Sequence, residues 1–270
     1  MYRPERRLWL ALALALLPLA AQAGQGCSEK LLTVDTYRLA LGTAAKVQQR
    51  LAQLDSPVVV LGRMGQDLGK YGLRYTHAGF AYRQPDGHWR MAHLLNQCGS
   101  AEADLWYEGL GNFFLDDMFS YDSVVLIPPP AVAARLQTRL QDGPLLRTLF
   151  SSRYSMVAYP FASRYQNSNT WVLENLAASM VDGRQLYTRE QAQAWLQQQG
   201  YQPTELDLGP LTRLGGRMFK ANIAFDDHPD ALRYSNRIRT VSVDSIIHFV
   251  EGRGEGWRIE EISGTQPRRY

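Results

Sequence analysis

The sequence predicts an α+β fold in which an antiparallel sheet packs on helices and a C-terminal α/β extension follows. Three observations support this prediction. The continuous apolar run Val58–Leu61 suits a central buried strand, and a turn signal at residues 84–87 separates two segments of strand character. Amphipathic stretches such as Asp35–Leu54 lie around them and have helical spacing of apolar residues.

Residues 1–23 have the pattern of a secretory signal peptide. Three arginines precede the apolar segment Leu8–Leu19, and Ala21-Gln22-Ala23 forms a small-x-small cleavage site. The apolar segment is too short to span a bilayer comfortably. A lipoprotein signal acylated on Cys27 fits less well, because Gly24 stands where a large apolar residue is expected. We therefore expect an exported protein of a bacterial periplasm, with no transmembrane segment in the mature chain.

Composition narrows the classes of partner. Loss of the signal peptide removes three Arg and one Glu, which lowers the formal charge from +3 to +1. A nearly neutral chain has no electrostatic footprint for nucleic acid. In an oxidising compartment Cys27 and Cys98 are expected to form a disulfide, and the alternative is that Cys98 is a reactive thiol.

A β-hairpin follows the buried strand. The spacing predicts strands over Tyr75–Tyr82 and Trp89–Leu95. The turn between them has Pro85 at its second position and Gly87 at its fourth, which favours a type I turn closed by a left-handed residue. This turn pairs position 84 with position 88, so facing positions of the two strands are fixed.

In that register two histidines share one face of the hairpin. His93 lies opposite Gly79, one diagonal step from His77, and the glycine leaves open space beside the two imidazoles. Such a pair indicates either a site or a half-buried polar patch. A register slip of one residue would move His93 to the other face.

Between the buried strand and the hairpin lies a polar loop. Arg63, Asp67 and Arg74 occur there among several glycines. One interpretation is a solvated loop with an ion pair. The other is a loop that faces substrate, with glycines that permit close approach of the backbone.

The second stretch with candidate catalytic residues is 163–174. Apolar residues at 172, 173, 176, 177 and 180 predict a helix that starts close to Ser168 or Asn169. Ser168 would then lie at the positive end of the helix, where backbone N–H groups stabilise an oxyanion. The same position also suits an ordinary helix cap.

Further elements follow the same patterns. Thr188-Arg-Glu-Gln191 is a capping box that opens a helix ending at Gly200. Alternating residues over 240–250 and 257–262 predict a C-terminal hairpin. Other expected elements are strands at Ser123–Ile127 and Met156–Tyr159 and a helix at Ala131–Gln141.

The order of these motifs resembles the circularly permuted papain-like superfamily, which includes NlpC-related proteins of the YiiX type and the lecithin retinol acyltransferase group. The shared features are Tyr75-Thr-His77-Ala-Gly-Phe80 on a strand, a hairpin return ending near His93, and Asn167-Ser168-Asn169-Thr-Trp171 at a helix start. Within it, the chain also resembles an exported bacterial family of unknown function. The resemblance implies a core over residues 24–182 and an extension over 183–270.

Roles follow from this resemblance. His77 would be the general base, His93 the residue that orients it, and Ser168 the nucleophile in place of the family's cysteine. The residues expected to bind substrate are Arg63, Asp67, Asn167 and Asn169.

Three functions stay open at this point. The first is a cell-envelope hydrolase or acyltransferase of amide or ester bonds. The second is an inactive papain-like module that binds a periplasmic peptide, glycan or protein, and the partner classes expected for either function are an envelope peptide, lipid or protein. The third is metal-dependent hydrolysis through Asp226, Asp227 and His228, although adjacent residues of one loop make a weak metal site and a stapled turn is the simpler interpretation. No cofactor and no metal are predicted.

Overall fold

A computed structural model describes residues 32–116, 118–254 and 256–265 of the chain. The predicted signal peptide and Cys27 lie outside the described residues, so the signal peptide and the disulfide to Cys98 stay predictions. Within the described ranges, no helix is long and apolar enough to cross a bilayer.

The fold is α+β, with an antiparallel sheet packed against helices, as predicted. Six strands form this sheet in the order β4-β3-β2-β1-β5-β8, and β6 pairs with β7 in a separate ribbon. The strands are β1 (Val58–Met64), β2 (His77–Arg83), β3 (Trp89–Asn96), β4 (Ala103–Gly109), β5 (Ser120–Ile127), β6 (Thr204–Asp207), β7 (Arg237–Thr240) and β8 (Arg258–Ile262).

Helices cover both faces of the six-stranded sheet. They are α1 (Val34–Leu51), α2 (Leu110–Phe114), α3 (Pro130–Gln141), α4 (Gly143–Arg147), α5 (Ser168–Met180), α6 (Arg189–Gln198), α7 (Pro210–Phe219), α8 (Asp230–Arg233) and α9 (Val243–Arg253). On one face α1 and α2 pack against Ala81 and Met91. On the other, α3, α5, α6 and α9 pack against Phe80 and Ala92. Because successive residues of β2 point to opposite faces, the two cores alternate along that strand.

The predicted central strand is confirmed. Val58–Leu61 is fully buried in β1, which pairs with β2 on one side and β5 on the other. The all-apolar run is required because both faces of this strand contact helices rather than water.

The predicted C-terminal hairpin is wrong. Ser242 and Ser245 form a capping box that starts α9, so most of residues 240–250 are helical rather than extended. β8 does form at the end of this region, but its partner is β5. The extension therefore contributes an edge strand to the main sheet. Met156–Tyr159, also expected as a strand, instead begins with a turn at residues 156–157 and forms no strand.

Candidate functional site

The hairpin register brings the two histidines together. Phe80 pairs with Ala92 and Arg83 with Trp89, as the turn predicted. Gly87 adopts the left-handed φ of 87° that the turn requires. Nε2 of His77 lies 2.9 Å from Nδ1 of His93, which is a hydrogen bond between the two rings.

The open space predicted beside Gly79 is not present. A Cβ at this position would lie 2.7 Å from Cβ of His93 and 2.9 Å from the carbonyl oxygen of Ala92. The glycine therefore lets β3 and its histidine approach β2 closely. It allows the imidazole contact instead of forming a pocket.

A third residue, Glu108 on β4, extends the histidine pair. Its Oε1 lies 3.0 Å from Nε2 of His93, which is 1 % exposed. The contact has the distance of an ion pair without the angle of a hydrogen bond. The carboxylate still favours the proton of His93 on the nearer nitrogen, Nε2.

This arrangement favours one tautomer for each ring. With its proton on Nε2, His93 offers the lone pair of Nδ1, and His77 must donate its own Nε2 proton to it. The lone pair of His77 Nδ1 is then directed away from His93, and no hydrogen bond among the described residues uses it. We call Arg63, His77, His93 and Glu108 the relay cluster.

Electrostatics keep His77 neutral. Burial lowers its pKa well below the ordinary value of 6.5, and the positive charge of Arg63 and the neighbouring His93 lower it further. Since Arg63 lies directly across from His77 in the β1–β2 ladder, the repulsion is local. At neutral pH His77 is therefore an unprotonated imidazole, the form that accepts a proton.

Arg63, predicted to bind substrate, is 6 % exposed and engaged within the protein. Its guanidinium donates to the carbonyl of Phe113 and lies 2.7 Å from Oδ2 of Asp116. It also lies over the Phe113 ring, 4.9 Å from the centroid. Asp67 accepts the N–H of Gly69 at 2.9 Å and so closes a turn of its loop.

The helix that contains Ser168 starts where predicted, and Asn167 is its cap. Oδ1 of Asn167 accepts the N–H of Thr170 at 2.7 Å, which satisfies an otherwise unpaired donor at the helix start. Its Nδ2 donates to Met156 and Thr240. The Asn167 amide, predicted to bind substrate, thus forms hydrogen bonds within the protein. Asn167, and not Ser168, caps the helix.

Ser168 itself is not hydrogen-bonded to His77 in the described part of the chain. Burial raises the pKa of Tyr154 to about 12, and an interaction of its hydroxyl with the Ser168 side chain offsets part of this rise. Trp171 on the same helix packs on Phe80, on the sheet face opposite the relay cluster. The structure therefore joins His77 to His93 and does not join Ser168 to them.

Asn169 is the residue of this helix that contacts the strand of His77. Its Oδ1 accepts the N–H of Ala78 at 3.1 Å, and its Nδ2 donates to the carbonyl of Thr76 at 3.3 Å. The predicted substrate amide thus holds the backbone on both sides of His77.

Sequence reasoning missed Glu108. The strands predicted from the sequence do not include β4, the strand that positions Glu108. The alternation of Asp104, Trp106 and Glu108 with apolar residues between them is the period-two signal of a half-buried strand.

The residues Asp226, Asp227 and His228 form a stapled turn. Nδ1 of His228 lies 2.9 Å from Oδ1 of Asp227, and its Nε2 bonds to the backbone of Arg239. Asp226 pairs with Arg164 at 2.9 Å. Among the residues described, no group of three or more His, Cys, Asp or Glu side chains is arranged to hold a metal ion.

Comparison with known proteins gives one match. Residues 50–250 match the family model described as "Uncharacterized protein conserved in bacteria (DUF2145)". The match covers most of the chain. This chain belongs to the DUF2145 family. No curated protein and no solved structure matches it.

Proposed function

We propose that this DUF2145 protein is a cell-envelope hydrolase or acyltransferase of amide or ester bonds, with His77 as its general base. The observation that carries the proposal is the chain of contacts from Glu108 through His93 to His77. The carboxylate of Glu108 orients the imidazole of His93, which in turn orients that of His77. The neutral His77 ring is left with the lone pair of Nδ1 in a defined direction. Such a lone pair is one requirement for general-base catalysis, and the other is that the proton to be removed lies within its reach.

Ser168 is the proposed nucleophile. Its position as first residue of α5 provides backbone N–H groups for a developing oxyanion. In the reaction Oγ attacks the carbonyl carbon while Nδ1 of His77 takes the hydroxyl proton, and the imidazolium then returns a proton to the leaving group. Since α5 packs on the sheet face opposite the relay cluster, the proton transfer also needs a bridging water or a movement of the helix start towards His77 when substrate binds, besides release of the hydroxyl from Tyr154.

The proposal follows the resemblance of the motif order to permuted papain-like enzymes, with serine in place of their cysteine. A hydroxyl ionises far less readily than a thiol, so the reaction depends fully on the base. The predicted export signal supports a periplasmic location and substrates of the cell envelope, such as peptidoglycan peptides or lipids.

Labelling with a fluorophosphonate tests the proposal on the chain without residues 1–23. We expect labelling and ester hydrolysis in the wild type, and loss of both in Ser168→Ala and His77→Gln. Ser179→Ala is the matched control, since Ser179 is a buried serine of the same helix. His88→Gln is the control for histidine, because His88 lies exposed at the hairpin turn.

Two results would overturn the proposal. One is a folded Ser168→Ala variant that labels as strongly as the wild type. The other is a wild-type protein that neither labels nor hydrolyses nitrophenyl esters and peptidoglycan peptides.

The second candidate is an inactive module that binds an envelope peptide, lipid, glycan or protein. It is favoured by the contact of the Ser168 hydroxyl with Tyr154 rather than with His77. For this function we expect a folded, unlabelled protein that retains peptidoglycan fragments in a pull-down, with binding unchanged in Ser168→Ala.

A further inference from the structure

A local break in the main sheet lies beside His77. The β2–β3 ladder ends at the pair Phe80–Ala92, although β2 continues with β1 as far as His77. β3 likewise continues with β4 to Asn96. From Gly79 towards the start of β2, one edge of that strand therefore pairs with no strand of the described residues.

The side chain of Asn169 occupies this edge. In β2 the N–H groups of even-numbered residues face β3, as the bond from Gln84 to His88 shows. The N–H of Ala78 belongs to this set, and it donates to Oδ1 of Asn169. The carbonyl of Thr76 accepts from Nδ2 of the same amide. One carboxamide thus replaces the missing strand on both sides of His77.

We propose that Asn169 is a positioning residue, which fixes the backbone of His77 so that its ring meets His93. The importance of Asn169 for catalysis rests on the proposed function, in which His77 is the general base. The reason is geometric. The N–H of Ala78 and the carbonyl of Thr76 belong to the two peptide units that flank His77, so holding them restricts the direction of its side chain. Because the amide is 6 % exposed, water competes poorly for these two groups.

Asparagine is the residue type that this position requires. The edge presents one donor and one acceptor, and a carboxamide offers the complementary acceptor and donor. Aspartate keeps the acceptor for Ala78 but places a second oxygen against the carbonyl of Thr76. Asn169→Asp is therefore a nearly isosteric change that breaks one bond, whereas Asn169→Ala breaks both.

Two readouts that do not depend on activity test the proposal. The first is hydrogen exchange of the Ala78 amide, which we expect to be about tenfold faster in Asn169→Ala, in line with the loss of one buried hydrogen bond. The second is the nitrogen NMR spectrum of the imidazoles. In the wild type His77 and His93 are expected as Nε2–H tautomers, and in Asn169→Ala and Asn169→Asp the His77 signal should shift towards a mixture of tautomers.

Asn175→Asp is the control, since Asn175 is a buried asparagine of the same helix that bonds to Arg139. It should leave the spectrum of His77 unchanged. Unaltered Ala78 exchange and unaltered His77 tautomers in folded Asn169→Asp would overturn the positioning role. If the Asn169 variants alter the His77 tautomers but the wild type shows no hydrolysis, the positioning role is confirmed and the proposed function is refuted. The failure of one proposal can therefore be distinguished from the failure of the other.

Discussion

Two buried charged clusters in this protein differ in how completely their polar atoms are bonded. The first joins Glu174 to Arg189 behind the helix of Ser168. Glu174 accepts from Arg189 at 2.9 Å, from Gln193 at 2.8 Å and from Gln166 at 2.6 Å. The other two guanidinium nitrogens of Arg189 each donate to a backbone carbonyl, that of Ser163 or Tyr165. This cluster is saturated by its own fold.

The relay cluster is not saturated. Nε of Arg63 is buried with no hydrogen-bond partner in the described structure, as is the hydroxyl of Ser123, its cross-strand neighbour. Nδ1 of His77 makes no hydrogen bond there either. Buried polar groups are normally all bonded, and exceptions occur at sites with a chemical role. This difference indicates that the Glu174–Arg189 cluster serves stability and that the relay cluster is the better candidate for function.

The largest expected effect is on catalytic activity, which should depend on the relay cluster and not on the Glu174–Arg189 cluster. His77→Gln should lower kcat/KM by about 10²–10⁴-fold, because an amide cannot act as a general base. Gln193→Ala, in the saturated cluster, should leave kcat/KM per folded molecule unchanged. Ester hydrolysis by both variants, normalised to the folded fraction, gives the measurement. Equal losses would remove the distinction.

Stability should show the reverse pattern. Glu174→Gln leaves Arg189 buried without a counter-charge, and breaking a buried ion pair on one side costs about 3–5 kcal/mol. His77→Gln removes no paired charge, since the ring is neutral, and should cost far less. Urea denaturation of the two variants compares their free energies of unfolding. A larger loss for His77→Gln would show that the relay cluster is structural.

An intermediate effect is expected at Glu108. Glu108→Gln removes the charge that holds the proton of His93 on Nε2, so His93 no longer presents a fixed lone pair to His77. We expect a loss of roughly 10- to 100-fold in kcat, which corresponds to about 1.4–2.8 kcal/mol of transition-state stabilisation. Glu102→Gln, an exposed change beside β4, is the control. An unchanged kcat would remove Glu108 from the relay.

The two clusters should also respond to pH with opposite sign. Burial lowers the pKa of His77 below 6.5, so below pH 6.5 the unfolded chain binds more protons and the free energy of unfolding falls as pH falls. Burial raises the pKa of Glu174 above 4.5 despite the offset from Arg189. Above pH 4.5 the folded chain therefore binds more protons, and the free energy of unfolding falls as pH rises.

The measurement is the pH dependence of urea denaturation for wild type, His77→Gln and Glu174→Gln. Subtracting each variant from the wild type isolates the slope of one group. Slopes of the same sign, or no slope at all, would contradict the assignment of burial as the dominant cause.

The contrast also explains what the sequence could predict. The hairpin register followed from Pro85 and Gly87, because turn chemistry is local and fixes strand pairing. The helix start at Ser168 followed from apolar periodicity. In contrast, the role of Asn169 depends on where the β2–β3 ladder ends, which is a tertiary property. Glu108 needed the pairing of β3 with β4, a connection that no turn signal specified.

The smallest expected effect concerns the contact that separates Ser168 from the relay. Leaving Tyr154 costs the Ser168 hydroxyl at most one neutral hydrogen bond, worth about 0.5–1.5 kcal/mol. If Ser168 is the nucleophile, Tyr154→Phe removes this competitor and should speed fluorophosphonate labelling by about 2- to 10-fold. Tyr201→Phe, which breaks a buried bond to Ser245 elsewhere in the same core, controls for general loosening. Slower labelling in Tyr154→Phe, with unchanged labelling in Tyr201→Phe, would contradict this expectation. It would mean that the Tyr154 hydroxyl assists the reaction of Ser168 rather than competing with His77 for it.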